Sequence, residues 1–332
     1  SNLIDEAFKM TIKIATEEDL VKIHHVSVDG TKIKSKTSIN KLTNKQQLKI
    51  MKQHLEKSIK LDEEEDEELG EESGNSVPET LTDEEKFKEI FEKLNESEKD
   101  VISINDPDAR LMKNKKGRWE FDYNAQIAVD EHKGIIIASH VTNNPSDHHE
   151  LIPAIEQVKS NLSEIYNETP SNFQVSADNG YSTDINAEYI EQEGLDGYIS
   201  SRKLSRKEKK YNLTEKPFSK DNFNYDNEIK TYICPLGQPL YCVKEYEYKN
   251  KPRIAYWTKE CKYCPIQEYC AKSQRYKTIS DYGNPSKIRM QRKMETPEAQ
   301  EIYKLRSKTA ELPFANMKQN MHLTEFTTTG LK

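Results

Sequence analysis

Polar and apolar positions first alternate clearly over Ile23-His24-His25-Val26-Ser27-Val28, where Val26 and Val28 fall between polar neighbours. This period of two predicts a strand that closes at Asp29-Gly30. From Asn44 to Ile59 a Lys/Gln/Leu-rich stretch predicts a helix. The block Asp62 to Glu68 is entirely acidic, so 61–80 is expected to be loop or disordered, and 81–97 a polar helix opening at Thr82. Alternation returns strongly over Phe121–Asp130, turns at His132-Lys133-Gly134, and continues over Ile135–Val141, which predicts a β-hairpin. Asp147–Asn161 reads as a helix with Leu151, Ile152, Ile155 and Val158 on one face. Phe173–Ala177 reads as a strand ending at Asp178, Thr183–Glu193 as a helix stopped by Gly194, and Tyr198–Ser200 as a further strand. That order describes a mixed α/β sheet. Two of its strands end in an aspartate. The carboxyl ends of strands are where open α/β sheets collect ligands, so Asp29 and Asp178 either share a site or mark two turns.

Composition changes this picture in one respect. Hydrophobic residues make up 34% and charged residues 32% of the 332, which is polar for a compact globule and points to solvated insertions. The net charge is −7, but it is unevenly spread. Residues 202–332 hold 27 Lys and Arg against 15 Asp and Glu, whereas Glu56–Asp100 holds 19 acidic residues and 6 basic ones. A basic C-terminal half beside a separate acidic insert is compatible with DNA binding, and equally with solvated lysine-rich faces. No run approaches the roughly 18 apolar residues of a membrane span, and Ser1–Asp5 does not open a secretory signal. The expected location is the cytoplasm.

All five cysteines lie between Cys234 and Cys270. Cys261-x2-Cys264-x5-Cys270 with Cys234 upstream lets four thiolates reach one tetrahedral, structural Zn²⁺, leaving Cys242 spare. Free thiols and an iron–sulfur cluster are the alternatives. Between the cysteines, Glu245–Tyr248 and Arg253–Trp257 read as a hairpin whose aromatic and basic residues either touch DNA or face solvent. Near the C-terminus, Thr296-Pro297-Glu298 predicts a helix start, and Pro313 kinks or restarts that helix, with Glu311 and Lys318 on one face and Tyr303 and Arg306 one turn apart.

Read together, these segments resemble the insertion-sequence transposases of the DDE type, in the branch with a Tyr-Arg-Glu-Lys signature. The matching text is Val28-Asp29-Gly30-Thr31-Lys32-Ile33, Ala177-Asp178-Asn179-Gly180-Tyr181-Ser182, and Tyr303-x2-Arg306 followed by Glu311-x2-Phe314-x3-Lys318. Asp106-Pro107-Asp108-Ala109-Arg110, Val141–Asp147 and the cysteine knuckle also resemble family text. Four residues separate Arg306 from Glu311 where the signature usually has three, and Asn179 stands where a small residue is commoner.

The resemblance implies an RNase H-like mixed sheet flanked by helices, with an inserted zinc-ribbon-like cysteine module. It divides the chain into a catalytic core at 1–43 and 101–203, an acidic insert at 44–100, a basic cysteine-bearing insert at 204–285, and a catalytic helix at 286–332. It implies Asp29, Asp178 and Glu311 as catalytic acids holding Mg²⁺ or Mn²⁺, which activates water or a 3′-hydroxyl and stabilises the leaving oxygen. Tyr303, Arg306 and Lys318 would contact phosphates of double-stranded DNA, both element ends and target, with a homodimer assembled on it. The family's N-terminal helical DNA-binding region and longer C-terminal helix imply that this is a shortened copy. The rival expectations are a nuclease without strand transfer, a zinc-ribbon nucleic-acid-binding protein without catalysis, and a decayed fragment.

Overall fold

The computed structural model describes residues 2–39, 42–54, 56–57, 83–97, 99–114, 117–166, 170–200, 218–248, 251–272 and 274–331. In chain order its elements are α1 (Asn2–Glu17), β1 (His25–Lys34), β2 (Leu42–Asn44), α2 (Glu84–Glu96), β3 (Val101–Ser103), β4 (Arg110–Lys113), β5 (Trp119–Asp130), β6 (Ile136–Thr142), α3 (Leu151–Tyr166), β7 (Gln174–Ala177), α4 (Asp184–Gln192) and β8 (Asp196–Ile199). There follow β9 (Asn224–Asp226), β10 (Thr231–Ile233), β11 (Cys242–Tyr248), β12 (Lys251–Trp257), β13 (Ile279–Tyr282), α5 (Pro285–Lys293), α6 (Pro297–Thr309) and α7 (Glu311–Gln319).

The central sheet runs β4-β5-β1-β7-β8, with β6 also on β5. β1, β5 and β6 pair antiparallel, while β1, β7 and β8 pair parallel. This is the expected mixed sheet flanked by helices, with β1 at the junction of its antiparallel and parallel halves. Val26, Val28, Ala128, Val175 and Ala177 face a core closed by Leu151, Ile155, Val158 and Leu162 of α3 and by Ile12 and Ala15 of α1. On the opposite face Ile127 and Val129 meet Phe314 of α7. β5 is buried from Phe121 to Asp130, so its polar positions Asp122, Asn124, Gln126 and Asp130 are interior rather than solvated. Among the described residues no helix is long and apolar enough to cross a membrane.

Several local expectations shift. β1 does not close at Asp29-Gly30: it runs on to Lys34, because Gly30 to Lys34 pair with Gln126 to Asp122 of β5. The polar helix is capped by Asp83, whose carboxylate accepts from the Glu85 and Lys86 amides, while Thr82, its expected opening, lies outside the described residues. Asp147–His149 forms a 3-10 turn ahead of α3 instead of its first turn. The stretch 61–80 lies outside the described residues. Asp106-Pro107-Asp108 proves to be a junction: Asp106 accepts from the Tyr123 hydroxyl at 2.6 Å and from the Gly330 amide at 3.1 Å, and Asp108 pairs with Lys93 at 2.8 Å. The tail after α7 is thereby tied to the sheet, and Phe326 packs edge-on against Tyr123.

His25 opens β1 with 3% exposure, and among the described residues neither ring nitrogen has a hydrogen-bond partner. Burial pulls its pKa from 6.5 down to about 4, with Asp196 weakly opposing. The unfolded ring takes up a proton at higher pH than the folded one. The resulting stability is therefore whole above 6.5 and is lost as pH falls through about 4. Over that window the loss is about 3 kcal/mol. Urea melts of His25→Phe are expected to flatten this acid limb; an unchanged limb contradicts the assignment.

Candidate active site

Asp29 sits mid-strand in β1, and Asp178 directly follows β7, the parallel neighbour of β1. The two strands meet at Val28 and Ala177, one residue before each aspartate. Asp178 caps the short turn Asn179–Tyr181 by accepting from the Gly180 amide at 2.6 Å. Glu311 arrives from the other end of the chain. α6 stops at Thr309 and α7 begins at Glu311, with Pro313 in the new first turn where no helical donor is needed. The break aims the two helices separately.

Arg306 joins these pieces. Its guanidinium lies 3.5 Å from Asp29 Oδ1 and 2.8 Å from Glu311 Oε1, and its carbon lies 5.6 Å from the Tyr303 ring. Burial opposes the Arg306 charge, but Tyr303, Asp29, Glu311 and Asp178 together raise its pKa. Asp29 shows the reverse imbalance. Burial pushes its pKa up to about 6; Arg306 pulls it down, while Asp178 and Glu311 push it further up. The other two acids therefore both act on the Asp29 carboxyl, with Arg306 the counter-charge among them. Lys318 reaches the same cleft from α7, donating to Thr31 Oγ1 and the Lys32 carbonyl, each at 2.7 Å. The cleft is also lined by Lys32, Lys34, Lys113 and Arg118, which sequence reasoning had not singled out.

Asp147 was missed as well. Its Oδ1 accepts from Asn124 Nδ2 and Gln126 Nε2, both at 2.8 Å, and the Tyr181 hydroxyl donates to Gln126 Oε1. A Cβ on Gly30 would lie 2.2 Å from Gln126 Nε2 and 2.8 Å from Asp147 Oδ1. One on Gly180 would lie 2.9 Å from Asp178 Oδ1 and 3.2 Å from Asp147 Oδ2. The glycines after both aspartates thus make room for a fourth carboxylate. The available signal was the pair of amides Asn124 and Gln126 at alternate positions of β5, which alternation alone assigns to solvent.

Residues 233–332 match the family described as Transposase DDE domain. That part of the chain is similar to a transposase DDE domain. The matched stretch includes Tyr303, Arg306, Glu311 and Lys318; Asp29 and Asp178 lie outside it and are brought to it by the fold. No curated protein matches the chain. Among solved structures it is similar to a piggyBac transposase synaptic complex with hairpin DNA, determined by cryo-EM, at 10% identity with a TM-score of 0.26. That similarity covers 68% of this chain and 39% of the other, so the chain spans well under half of that protein's length.

The DDE domain match also spans the cysteines. Cys234, Cys261, Cys264 and Cys270 line a single apolar cavity with Phe218, Phe223 and Leu240, whereas Cys242 stands apart opposite Trp257. All five are free thiols. Burial pushes the Cys270 thiol up; Lys277 opposes this, and Cys261, Cys234 and Cys264 add to it. The four cysteines expected to act together therefore converge. Among the described residues, however, no group of three or more Cys, His, Asp or Glu side chains is closed to metal-holding spacing. This holds for the thiols and for the acids alike.

Proposed function

We propose that this chain is the catalytic part of an insertion-sequence DNA transposase, cutting and joining DNA strands at Asp29, Asp178 and Glu311. The carrying observation is that Asp29 feels Asp178, Glu311 and Arg306 at one buried point. Three carboxylates so placed repel one another and supply hard oxygen donors, which suits Mg²⁺ or Mn²⁺. Cations bound there would activate the attacking oxygen and stabilise the leaving one. Arg306 balances the acids and, with Tyr303, flanks the reacting phosphate. Lys318 and the cleft cations Lys32, Lys113 and Arg118 hold the phosphates on either side. Double-stranded DNA is the substrate, and two copies bring two element ends together.

Four converging thiols without a disulfide fit a structural Zn²⁺ held by Cys234, Cys261, Cys264 and Cys270. It would fix the cysteine module beside the catalytic helix.

Nicking of labelled DNA bearing the element ends tests the reading, with zinc assayed in the same preparation. The parent is expected to nick only with Mg²⁺ or Mn²⁺ and to hold zinc; Asp178→Ala is expected to keep the zinc and the fold but lose nicking. A folded parent that never nicks the correct ends leaves a binding module instead, and a zinc-free parent removes the zinc site.

A further inference from the structure

The aromatic and basic hairpin is part of a three-stranded sheet in the order β11-β12-β13. Its registers align Tyr246 with Arg253 and Tyr282, Lys244 with Ala255 and Ser280, and Tyr248 with Lys251. Side chains alternate between faces along a strand, so these rows share one face. The other face carries Ile254, Tyr256 and Ile279 into the module's core, and it also takes Glu245, Glu247 and Asp281. Charge is thereby sorted across the sheet: among the described residues of the three strands, the outer face holds Lys244, Lys251 and Arg253 and no carboxylate.

The aromatic rings on this face are arranged around Arg253. Its guanidinium carbon lies 4.3 Å from the ring centroid of Tyr248 and 4.3 Å from that of Tyr282. Tyr282 is 62% exposed and Tyr248 47%, so neither ring is consumed by the core. Among the described residues, the buried Arg253 Nε has no hydrogen-bond partner. Planar π-faces, a planar cation between them and flanking lysines form a surface on which unpaired bases stack while phosphates meet ammonium groups. A duplex hides its base faces and offers this surface only phosphates.

We propose that the outer face of β11, β12 and β13 is a binding platform for single-stranded DNA, its bases stacking on Tyr248 and Tyr282 around Arg253 and its backbone running along Lys244 and Lys251. The platform does not depend on the cleavage reading, since stacking needs no catalytic acid and no magnesium.

Fluorescence anisotropy on the full chain tests it, in magnesium-free, chelator-free buffer, with labelled oligodeoxythymidylate of about 20 nucleotides against a duplex of equal length. The oligonucleotide is expected to bind more tightly than the duplex. Tyr282→Ala is expected to weaken oligonucleotide binding about tenfold, Tyr282→Phe to preserve it, and Lys251→Glu, on an exposed position, to weaken it with a shallower salt dependence. The platform is overturned if the parent shows no preference for the single strand. It is equally overturned if Tyr282→Ala and Lys251→Glu bind as the parent does while Lys32→Glu abolishes binding, which places the strand in the acid cleft. Should Tyr282→Ala fail to fold, the Phe and Lys251 variants decide the matter alone.

Discussion

Asp29→Asn gives a protein that melts at a higher temperature than its parent and cleaves DNA about a thousandfold more slowly, a loss of several kcal/mol of transition-state stabilisation. Both effects have one cause. The Asp29 side chain is only 16% exposed, and burial outweighs the Arg306 charge, leaving its pKa near 6. For an acid whose folded pKa lies above its unfolded value of 3.8, the stabilising contribution is whole below 3.8 and is lost as pH rises through about 6. At neutral pH the metal-free fold therefore carries an ionised carboxylate that it would be more stable without, at a cost on the order of 1–3 kcal/mol. Asparagine keeps the shape and removes the charge, while Arg306 retains Glu311 at 2.8 Å. Thermal melts without divalent ions check the first effect, and nicking rates the second. Added Mg²⁺ is expected to raise the melting temperature of the parent much more than that of the variant. A variant less stable than its parent would mean that the Arg306 pair outweighs desolvation.

Gly30→Ala is expected to lower stability by about 2–4 kcal/mol and to disable the cleft. The new methyl falls 2.2 Å from Gln126 Nε2, too close for any real contact. Gln126 cannot swing away without loss. It is 1% exposed, donates to Asp147 Oδ1 and accepts from the buried Tyr181 hydroxyl, so moving it orphans interior polar groups. Gly134 is a useful contrast. Its φ of +72° penalises alanine by conformation alone, with nothing within 4 Å of the added carbon. Gly134→Ala should therefore cost about 1 kcal/mol and spare cleavage. Urea melts of both variants separate the two effects, and Gly30→Ala matching Gly134→Ala would remove the close-approach argument. Shortening the obstructing side chain in a Gly30→Ala, Gln126→Ser double variant should recover part of the lost stability.

Local patterns were read well from the chain. The hairpin of β5 and β6 follows from alternation and Gly134. The cap Thr296 and the proline at the start of α6 follow from the chemistry of unpaired helix donors. Asp178 at the end of β7 was legible because a short β-rich run stops there. These signals act within a few residues, where periodicity and capping operate. The same locality explains the errors. Gly30 looked like punctuation because a glycine after an aspartate usually ends a strand, yet its lack of a Cβ answers to Gln126 and Asp147, about a hundred positions away. β13 was not anticipated, because four residues carry little pattern until β12 pairs with them.

By itself the sequence determined the mixed order of strands and helices, the acids Asp29, Asp178 and Glu311 with Arg306 and Lys318 as candidates, and the grouping of four cysteines apart from Cys242. Tertiary structure alone decided that β1 continues through Asp29, that Arg306 stands between Asp29 and Glu311, and that Asp147 enters the cleft. It alone also sorted the cations and carboxylates of β11, β12 and β13 onto opposite faces. The physical reason is the range of the forces. Backbone propensity and capping are settled among near neighbours, whereas burial of the shared core sets strand pairing, and pairing then decides which distant charges must meet.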